Sequence, residues 1–318
     1  MAKTKVEFVC RECGASHHQW AGQCLDCKEW NTLEEIVISQ ATSSKPESLK
    51  DLPASKVQNL TEIKAQNKDR LSTGLSELDR TLGGGLVDGS VVLIGGDPGI
   101  GKSTLILQAL AKLNSDNTTL YVSGEESAEQ VSERAIRLGI KEDILFIGET
   151  HLEKIIKLSK DVKPKVIVID SIQTMVTDLS ASAPGSVTQV RDCAAQLTQY
   201  AKQTNTILLM IGHVTKGGAL AGPRILEHMV DAVLYFEGDA GGRYRIIRAV
   251  KNRFGAVNEI SVFAMGEKGL QQVSNPSSIF LSNQENPSSG SMVMVTREAT
   301  RPLLVEIQAL VDQSNGTP

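Results

Sequence analysis

The sequence contains no long hydrophobic run and no secretion signal. Nowhere do about 18 apolar residues follow one another without interruption, which is roughly the length that a membrane-spanning helix needs. Residues 1–5 lead into mixed polar sequence, whereas a secretion signal would continue into an apolar core. These absences argue against a membrane protein, and we expect a cytoplasmic protein with no membrane partner.

Strong charge of either sign is also missing. The 33 Lys and Arg residues face 37 Asp and Glu residues, which leaves a net charge of −4. No overall field draws such a chain onto DNA or an anionic membrane, so any contact with a polyanion must be local. The chain of 318 residues is long enough for one full-sized domain with smaller attachments.

Cysteine is rare outside the amino-terminal region. Only Cys193 lies beyond residue 27, in a helical pattern that indicates packing. The other four form two pairs separated by ten residues, Cys10-x-x-Cys13 and Cys24-x-x-Cys27. Two such turns bring four thiolates to one Zn²⁺ and leave no position for water, which predicts a structural zinc finger. Two disulfides are the alternative, but a reducing compartment disfavours them.

Two tryptophans and two histidines accompany these cysteines. Trp20 and Trp30 flank the second pair, and we predict that they form the small hydrophobic core of this fragment. Because four thiolates would already fill the zinc site, we interpret His17 and His18 as surface residues.

A phosphate-binding loop is the clearest feature that is present. An apolar strand at residues 91–94 precedes the loop, and an apolar helical stretch follows it as far as residue 113. Glycines let backbone N–H groups converge on phosphate oxygens, Lys102 reaches the terminal phosphates, and Ser103 can hold Mg²⁺. A glycine-rich surface turn is the alternative, but the flanking strand and helix argue against it. We therefore predict a nucleoside triphosphate site formed by Gly96, Asp97, Pro98, Gly99, Ile100, Gly101, Lys102, Ser103 and Thr104.

Apolar bursts and helical patterns alternate after this loop. The bursts lie at residues 91–94, 120–122, 144–147, 166–169 and 207–211, an arrangement typical of a buried parallel sheet. Residues 233–236 and 244–247, joined by a glycine-rich turn, predict an antiparallel hairpin that extends the sheet. The predicted fold class is α/β, a P-loop nucleotide-binding core with a mainly parallel sheet. We divide the chain into the zinc finger at 1–38, a polar linker at 39–70, the core at 71–275 and a carboxyl-terminal part at 276–318.

Acidic residues follow two of the predicted strands. Asp170 ends the strand at residues 166–169 and is placed to hold Mg²⁺ or its water shell, although it could instead cap the next segment. Glu125, preferred over Glu126, is placed to polarise the attacking water; both could instead serve the amino terminus of the next helix. His213 ends another strand, where it would sense the γ-phosphate or be an ordinary loop histidine.

The phosphate-binding loop, the four-cysteine finger and the pentapeptide Lys251-Asn252-Arg253-Phe254-Gly255 together resemble the RadA, or Sms, family of bacterial DNA repair and recombination proteins. The resemblance covers nearly the whole chain. It implies a RecA-like ATPase core that assembles as a hexameric ring on single-stranded DNA. It also implies that the ring works with a RecA-type recombinase and processes branched DNA by moving along it, as part of the stress response to DNA damage.

The same resemblance assigns roles to residues of this chain. It implies ATP and Mg²⁺ at Lys102 and Ser103, hydrolysis by Asp170 and Glu125, and signature cations at Lys251 and Arg253. Cations supplied across a subunit boundary would stabilise the charge that develops on the γ-phosphate, so we expect Lys251 or Arg253 to act in trans. The alternative is an ordinary solvated strand end.

Two stretches after core strands are candidate DNA-binding loops, at residues 177–189 and 214–224. In RecA-like rings such loops line the central channel, where Lys216 and Arg224 would contact phosphates, and six copies would concentrate their charge. Neither loop has an aromatic residue for base stacking, which predicts little sequence preference. Mobile lids over the nucleotide are the alternative.

The carboxyl-terminal residues 291–295 and 301–310 look like the opening of the Lon-protease-like domain that follows the core in this family. The chain stops at Pro318, so we expect this domain to be truncated and assign no proteolytic residues. Two other functions stay open besides the DNA motor: a nucleotide-switched assembly protein of the circadian-clock type that phosphorylates itself, and an inactive adaptor in which ATP only stabilises the fold.

Overall fold

The computed structural model describes residues 5–10, 15–38, 70–113, 116–180, 182–213, 223–238, 242–281 and 289–309. Cys13, Lys216 and nearly all of the predicted linker and of the second candidate DNA loop lie outside these ranges. In the described part of the chain, no helix combines the length and the apolar character needed to cross a membrane.

The amino-terminal module is a small antiparallel sheet. Its strands are β1 (Lys5–Cys10), β2 (Ser16–His17) and β3 (Leu33–Ile38), in the order β2-β1-β3. The interior consists of Cys10, Cys24 and Leu33 with a few partly buried neighbours. Trp20 and Trp30 are 60% and 68% exposed, so the prediction that they form the core is wrong. The cysteine side chains occupy the little interior that so short a fragment can have.

A second correction concerns the histidines of this module. His18 is exposed, as predicted, but His17 is half-buried. Its Nε2 lies 3.4 Å from the Sγ of Cys24. The second pair of cysteines therefore has a polar neighbour that spacing alone did not indicate.

The core is built on one large sheet. Its nine strands in the described residues are β4 (Val91–Gly95), β5 (Thr119–Ser123), β6 (Leu145–Gly148), β7 (Val166–Asp170), β8 (Ile207–Ile211), β9 (Ala232–Glu237), β10 (Tyr244–Asn252), β11 (Ile260–Gly266) and β12 (Gly269–Gln272). They are ordered β12-β11-β10-β9-β4-β8-β7-β5-β6. Strands β9 to β6 in that order are parallel, and β10, β11 and β12 extend the sheet in antiparallel fashion. The predicted α/β class with a mainly parallel sheet is confirmed.

Helices cover both faces of this sheet because its central strands are apolar on both sides. On β4, Val92 and Ile94 pack toward α1 (Ser76–Thr81), α2 (Lys102–Leu113) and α3 (Ala128–Leu138). Val91 and Leu93 pack on the other face against α4 (Leu152–Val162), α5 (Val187–Thr204) and α6 (Pro223–Met229). This arrangement leaves the carboxyl ends of the parallel strands uncovered, and these ends all lie at the same end of the sheet.

Local signals set the helix ends. Ser127 and Gln130 form a capping box at the start of α3, which ends at Gly139 in the left-handed conformation. Cys193 is fully buried in α5, and burial raises the pKa of its thiol to about 12. This agrees with its interpretation as a packing residue.

A short helix and a hairpin follow the sheet. They are α7 (Ser277–Phe280), β13 (Ser291–Glu298) and β14 (Arg301–Gln308). The hairpin is tied to the core by a buried ion pair of 2.6 Å between Arg301 and Glu77 of α1. Its turn is held by a 2.9 Å hydrogen bond from the Thr300 amide to Glu259.

Candidate functional site

The loop between β4 and α2 has the open conformation that phosphate binding requires. Gly96 and Gly99 adopt φ angles of +149° and +76°, where side chains are disfavoured. A Cβ at Gly96 would lie 2.8 Å from the Cβ of Phe236, whereas one at Gly99 would meet nothing within 4 Å. The backbone thus turns tightly against the sheet and leaves free space above the loop.

Lys102 lies folded back on this loop. Its Nζ donates to the carbonyls of Gly96 and Asp97 at 2.8 and 2.9 Å and lies 3.3 Å from Nδ1 of His213. Burial lowers the pKa of Lys102 to about 8, although the nearby carboxylates, Asp170 foremost, oppose the shift. Phosphate oxygens of a bound nucleotide can take the place of these two carbonyl oxygens as acceptors for the ammonium.

Asp170 lies at the end of β7, buried beside the start of α2. Its carboxylate accepts hydrogen bonds from the hydroxyls of Ser103 and Tyr121. Burial raises the pKa of Asp170, and these two hydrogen bonds oppose the rise. Ser103 and Asp170, both predicted for Mg²⁺, are therefore in direct contact.

Glu125 points into the same space from the end of β5. Its carboxylate accepts from the Ser171 hydroxyl and contacts Nε2 of His213 at 3.1 Å. The hydrogen bond with His213 is the largest cause that lowers the pKa of Glu125, so the group stays ionised. Glu126 instead forms an ion pair with Arg134 of α3. These contacts favour Glu125 as the residue that faces a nucleotide.

These side chains all come from the carboxyl ends of adjacent parallel strands, where ligands bind in open α/β sheets. Sequence reasoning missed Ser171 and Tyr121 as partners of Glu125 and Asp170. Ser171 follows Asp170 directly, so its place at the strand end was a signal that could have been used. Tyr121 gave no signal, because it lies in the middle of a fully buried strand, where an aromatic residue is ordinarily part of the core.

Lys251 and Arg253 lie away from the phosphate-binding loop. The amide of Arg253 donates to Asp231, whose own amide donates to Val91 at the start of β4. The Arg253 guanidinium lies 3.2 Å from Oδ1 of Asp231, and the Lys251 ammonium donates to the carbonyls of Glu227 and Val230. Both cations are therefore at the amino end of β4, whereas the phosphate-binding loop leaves its carboxyl end.

Three of the four predicted zinc ligands converge. The sulfur atoms of Cys10, Cys24 and Cys27 lie within 4.8 Å of one another, and none of the three is in a disulfide. Cys13 lies outside the described residues. A set of closely spaced thiolates suits Zn²⁺, whose preferred ligands include cysteine sulfur.

Comparison with known proteins decides the family. A model described as an AAA domain matches residues 58–219, and one described as a rubredoxin metal binding domain matches residues 8–35. DNA repair protein RadA of Pseudomonas aeruginosa is 56% identical over 99% of this chain and 70% of its own length. The proteins of the same name from Escherichia coli and Bacillus subtilis are 53% and 48% identical, over 99% and 100% of this chain and 70% of theirs. This chain belongs to the RadA family.

Membership of the RadA family agrees with the chemistry of both sites. The AAA domain match contains the phosphate-binding loop, Glu125 and Asp170, so the chain is an ATPase that uses ATP with Mg²⁺. The open space above Gly99 and the partly desolvated Lys102 fit a triphosphate. The rubredoxin match spans the cysteine pairs, which agrees with Zn²⁺ as the metal.

The residues expected to contact DNA are only partly described in this RadA family member. Thr177 is buried and accepts from Gln189 of α5, so the first candidate loop is anchored at both ends. Arg224 belongs to α6, but its side chain lies outside the description, as does Lys216. Their roles in DNA binding stay predictions.

Proposed function

We propose that this chain is the subunit of an ATP-driven DNA motor that acts in recombinational DNA repair. Six copies form a ring, each ATP is hydrolysed at a boundary between two subunits, and the ring moves on single-stranded and branched DNA. A RecA-type recombinase is its partner. The observation that carries the proposal is the position of Lys251 and Arg253 at the end of the sheet opposite Lys102.

The separation follows from strand register. Arg253 is level with Val91, and the phosphate-binding loop begins five residues later, after Gly95. At about 3.3 Å per residue this distance is roughly 16 Å along the strand. Arg253 therefore does not reach the phosphates of its own subunit, and its side chain is 58% exposed. A neighbouring subunit is where such a cation can be used.

The residues at the loop divide the work of hydrolysis. Lys102 binds the terminal phosphates, and Ser103 with Asp170 would hold Mg²⁺, which neutralises charge on the phosphates when it is bound. Glu125, ionised and oriented by Ser171 and His213, accepts a proton from the attacking water. The cation from the next subunit stabilises negative charge on the γ-phosphate oxygens.

His213 connects the nucleotide site to the second candidate DNA loop. It contacts Lys102 and Glu125 through its two ring nitrogens, and its carbonyl accepts from the Gln173 side chain at 3.3 Å. The second candidate DNA loop, which contains Lys216, begins at the next residue. A change at the γ-phosphate can therefore alter the position where that loop starts.

Mixing two inactive variants tests the proposal. Lys102→Ala damages the site of its own subunit, whereas Arg253→Ala damages the site of the neighbour. When the two are mixed, some boundaries combine an intact Lys102 with an intact Arg253, so we expect ATP turnover above the sum of the separate preparations. Lys251→Ala is mixed with Lys102→Ala in the same way.

The matched control mixes Lys102→Ala with Glu125→Gln. Both changes lie in the same half of the site, so no boundary is restored and no recovery is expected. If neither cation variant recovers activity beyond this control, the trans arrangement is wrong. Single-stranded DNA should stimulate turnover by the wild-type chain. Labelled γ-phosphate retained on the protein would instead support the self-phosphorylating alternative.

A further inference from the structure

Tyr121 is buried beside the proposed magnesium site and has no role in the scheme above. Its side chain on β5 has 0% exposure, and its ring stacks on Phe146 with centroids 6.4 Å apart. Its hydroxyl donates to Oδ2 of Asp170 on the neighbouring strand β7. A phenol in an otherwise apolar interior needs a partner, and this one uses a carboxylate of the active site.

Strand register explains how the two groups meet. Ser123 pairs with Asp170 and Tyr121 with Val168, so all four residues lie on the same face of the sheet. This is the face that α2 covers, and α2 begins with Lys102 and Ser103. The Tyr121 ring therefore extends along the face toward the strand ends and reaches Asp170 from below.

Asp170 is only 4% exposed, so water has little access to its carboxylate. Rotation of this group about its side-chain bonds is limited by the partners that hold its oxygens. The hydroxyl of Tyr121 holds one oxygen from the interior side. The same carboxylate also accepts from the Ser103 hydroxyl, at the place proposed for Mg²⁺.

We propose that Tyr121 is a positioning residue for Mg²⁺, because its hydroxyl holds Oδ2 of Asp170 and so fixes the orientation of the carboxylate that, together with Ser103, would hold the metal. The inference rests on the proposed role of Asp170 as a magnesium residue. Tyr121 itself touches neither the nucleotide nor the metal. Its contribution should appear in metal dependence rather than in nucleotide binding as such.

Tyr121→Phe is the test, since it removes one oxygen atom and keeps the stacked ring. Because the variant loses a hydrogen bond to a charged group, we expect the Mg²⁺ concentration for half-maximal ATP turnover to rise about tenfold, which corresponds to about 1.4 kcal/mol. Turnover at saturating Mg²⁺ should stay within about twofold of wild type, because Lys102 and Glu125 are unchanged. Binding of a fluorescent ATP analogue should weaken with Mg²⁺ present and stay unchanged in EDTA.

Tyr200→Phe is the matched control. Tyr200 is another buried tyrosine whose hydroxyl bonds to Thr204 and Thr206, on the opposite face of the sheet. It should leave the Mg²⁺ dependence unchanged. If Tyr121→Phe also leaves that dependence unchanged, or weakens nucleotide binding equally in EDTA, the inference is overturned.

Asp170→Asn separates this failure from failure of the proposed function. If Asp170→Asn changes the Mg²⁺ concentration that turnover or analogue binding requires, while Tyr121→Phe leaves that concentration unchanged, the role of Tyr121 alone is overturned. An unchanged Mg²⁺ dependence in Asp170→Asn would overturn both assignments. A shifted dependence in both variants, with Tyr200→Phe unchanged, supports both.

Discussion

Lys102, His213 and Glu125 form a line of polar contacts across the ends of three strands. His213 lies 111 residues from Lys102 and 88 residues from Glu125 in the sequence. The ammonium meets one ring nitrogen, which acts as the acceptor, and the other ring nitrogen is left to donate to the carboxylate. A triphosphate that draws Lys102 away from its carbonyl contacts also changes what His213 and Glu125 contact.

The pKa of Lys102 leads to a prediction about pH. In the free folded chain this pKa is about 8, below the ordinary 10.5. Between these values the unfolded chain holds a proton that the folded chain has lost, so this group makes stability rise with pH in that window. Phosphate contact favours the charged ammonium, so we expect ATP binding at pH 8.5 to 9 to take up a proton.

Calorimetry in buffers of different ionisation enthalpy measures this uptake. Lys102→Met should abolish it at saturating nucleotide. Lys112→Met, which changes a lysine at the far end of the same helix, should retain it. Equal uptake by Lys102→Met and the wild-type chain would show that another group titrates.

The sequence predicts functional residues that lie close together in the chain better than it predicts contacts between residues that lie far apart in the chain. The phosphate-binding loop and Ser103 are neighbours in the chain, and Glu125 and Asp170 each follow an apolar strand, so their types and spacing were readable. The contacts of His213 and Tyr121 depend on which strands are adjacent in the sheet. A single sequence does not contain that information in a local pattern.

The turn that follows β5 holds this strand against β7 and positions Glu125. Gly124 donates its amide to the Asp170 carbonyl at 2.9 Å, which holds the ends of β5 and β7 together. A Cβ at Gly124 would lie 2.8 Å from the Cβ of Thr174 and closer still to its hydroxyl oxygen. Glycine is therefore required where the chain delivers Glu125 to the site.

Gly124→Ala should displace this turn. We expect a loss of about 1–3 kcal/mol in the free energy of unfolding, typical of overpacking, and at least a tenfold fall in ATP turnover. Gly148→Ala, at the end of the neighbouring strand β6, is the control because its Cβ would make an ordinary 3.4 Å contact with Phe146. Denaturant unfolding and steady-state ATPase assays compare the two. Similar results for both variants would contradict the steric argument.

The elements that sequence reasoning found and missed differ in their physical origin. Strands β4, β5, β7 and β8 are short, mainly apolar and separated by helices, and these patterns follow directly from burial on both faces. Strands β11 and β12 were not predicted, because they lie at an antiparallel edge where burial is uneven. The exposed Trp20 and Trp30 were misjudged, since hydrophobic character alone does not bury a residue in a module without a larger core.

At the level of the whole molecule, the folding of the amino-terminal module should depend on Zn²⁺, whereas the folding of the core should not. The interior of the amino-terminal module consists mainly of cysteine side chains, so we expect it to unfold when Zn²⁺ is removed. Chelation should make residues 5–38 sensitive to limited proteolysis while the core at 70–281 stays protected and still binds ATP. Proteolysis with mass spectrometry and metal analysis measure this. Cys24→Ser should lose the metal, and Cys193→Ala should keep it.

An unchanged proteolysis pattern after complete metal removal would contradict a structural role for zinc. Unfolding of the core together with the module would contradict their independence instead.

The opposite positions of Arg253 and Lys102 on the sheet have a geometric consequence for any assembly built on them. When each subunit gives its cation from one surface and receives a cation on a different surface, the contact between neighbours is head-to-tail rather than twofold. Contacts of this head-to-tail kind either close on themselves or continue as an open fibre. Every such assembly has two unlike faces, so a threaded polynucleotide meets them in a fixed order. On the proposed arrangement, the direction of travel is inherited from the orientation of the parallel strands.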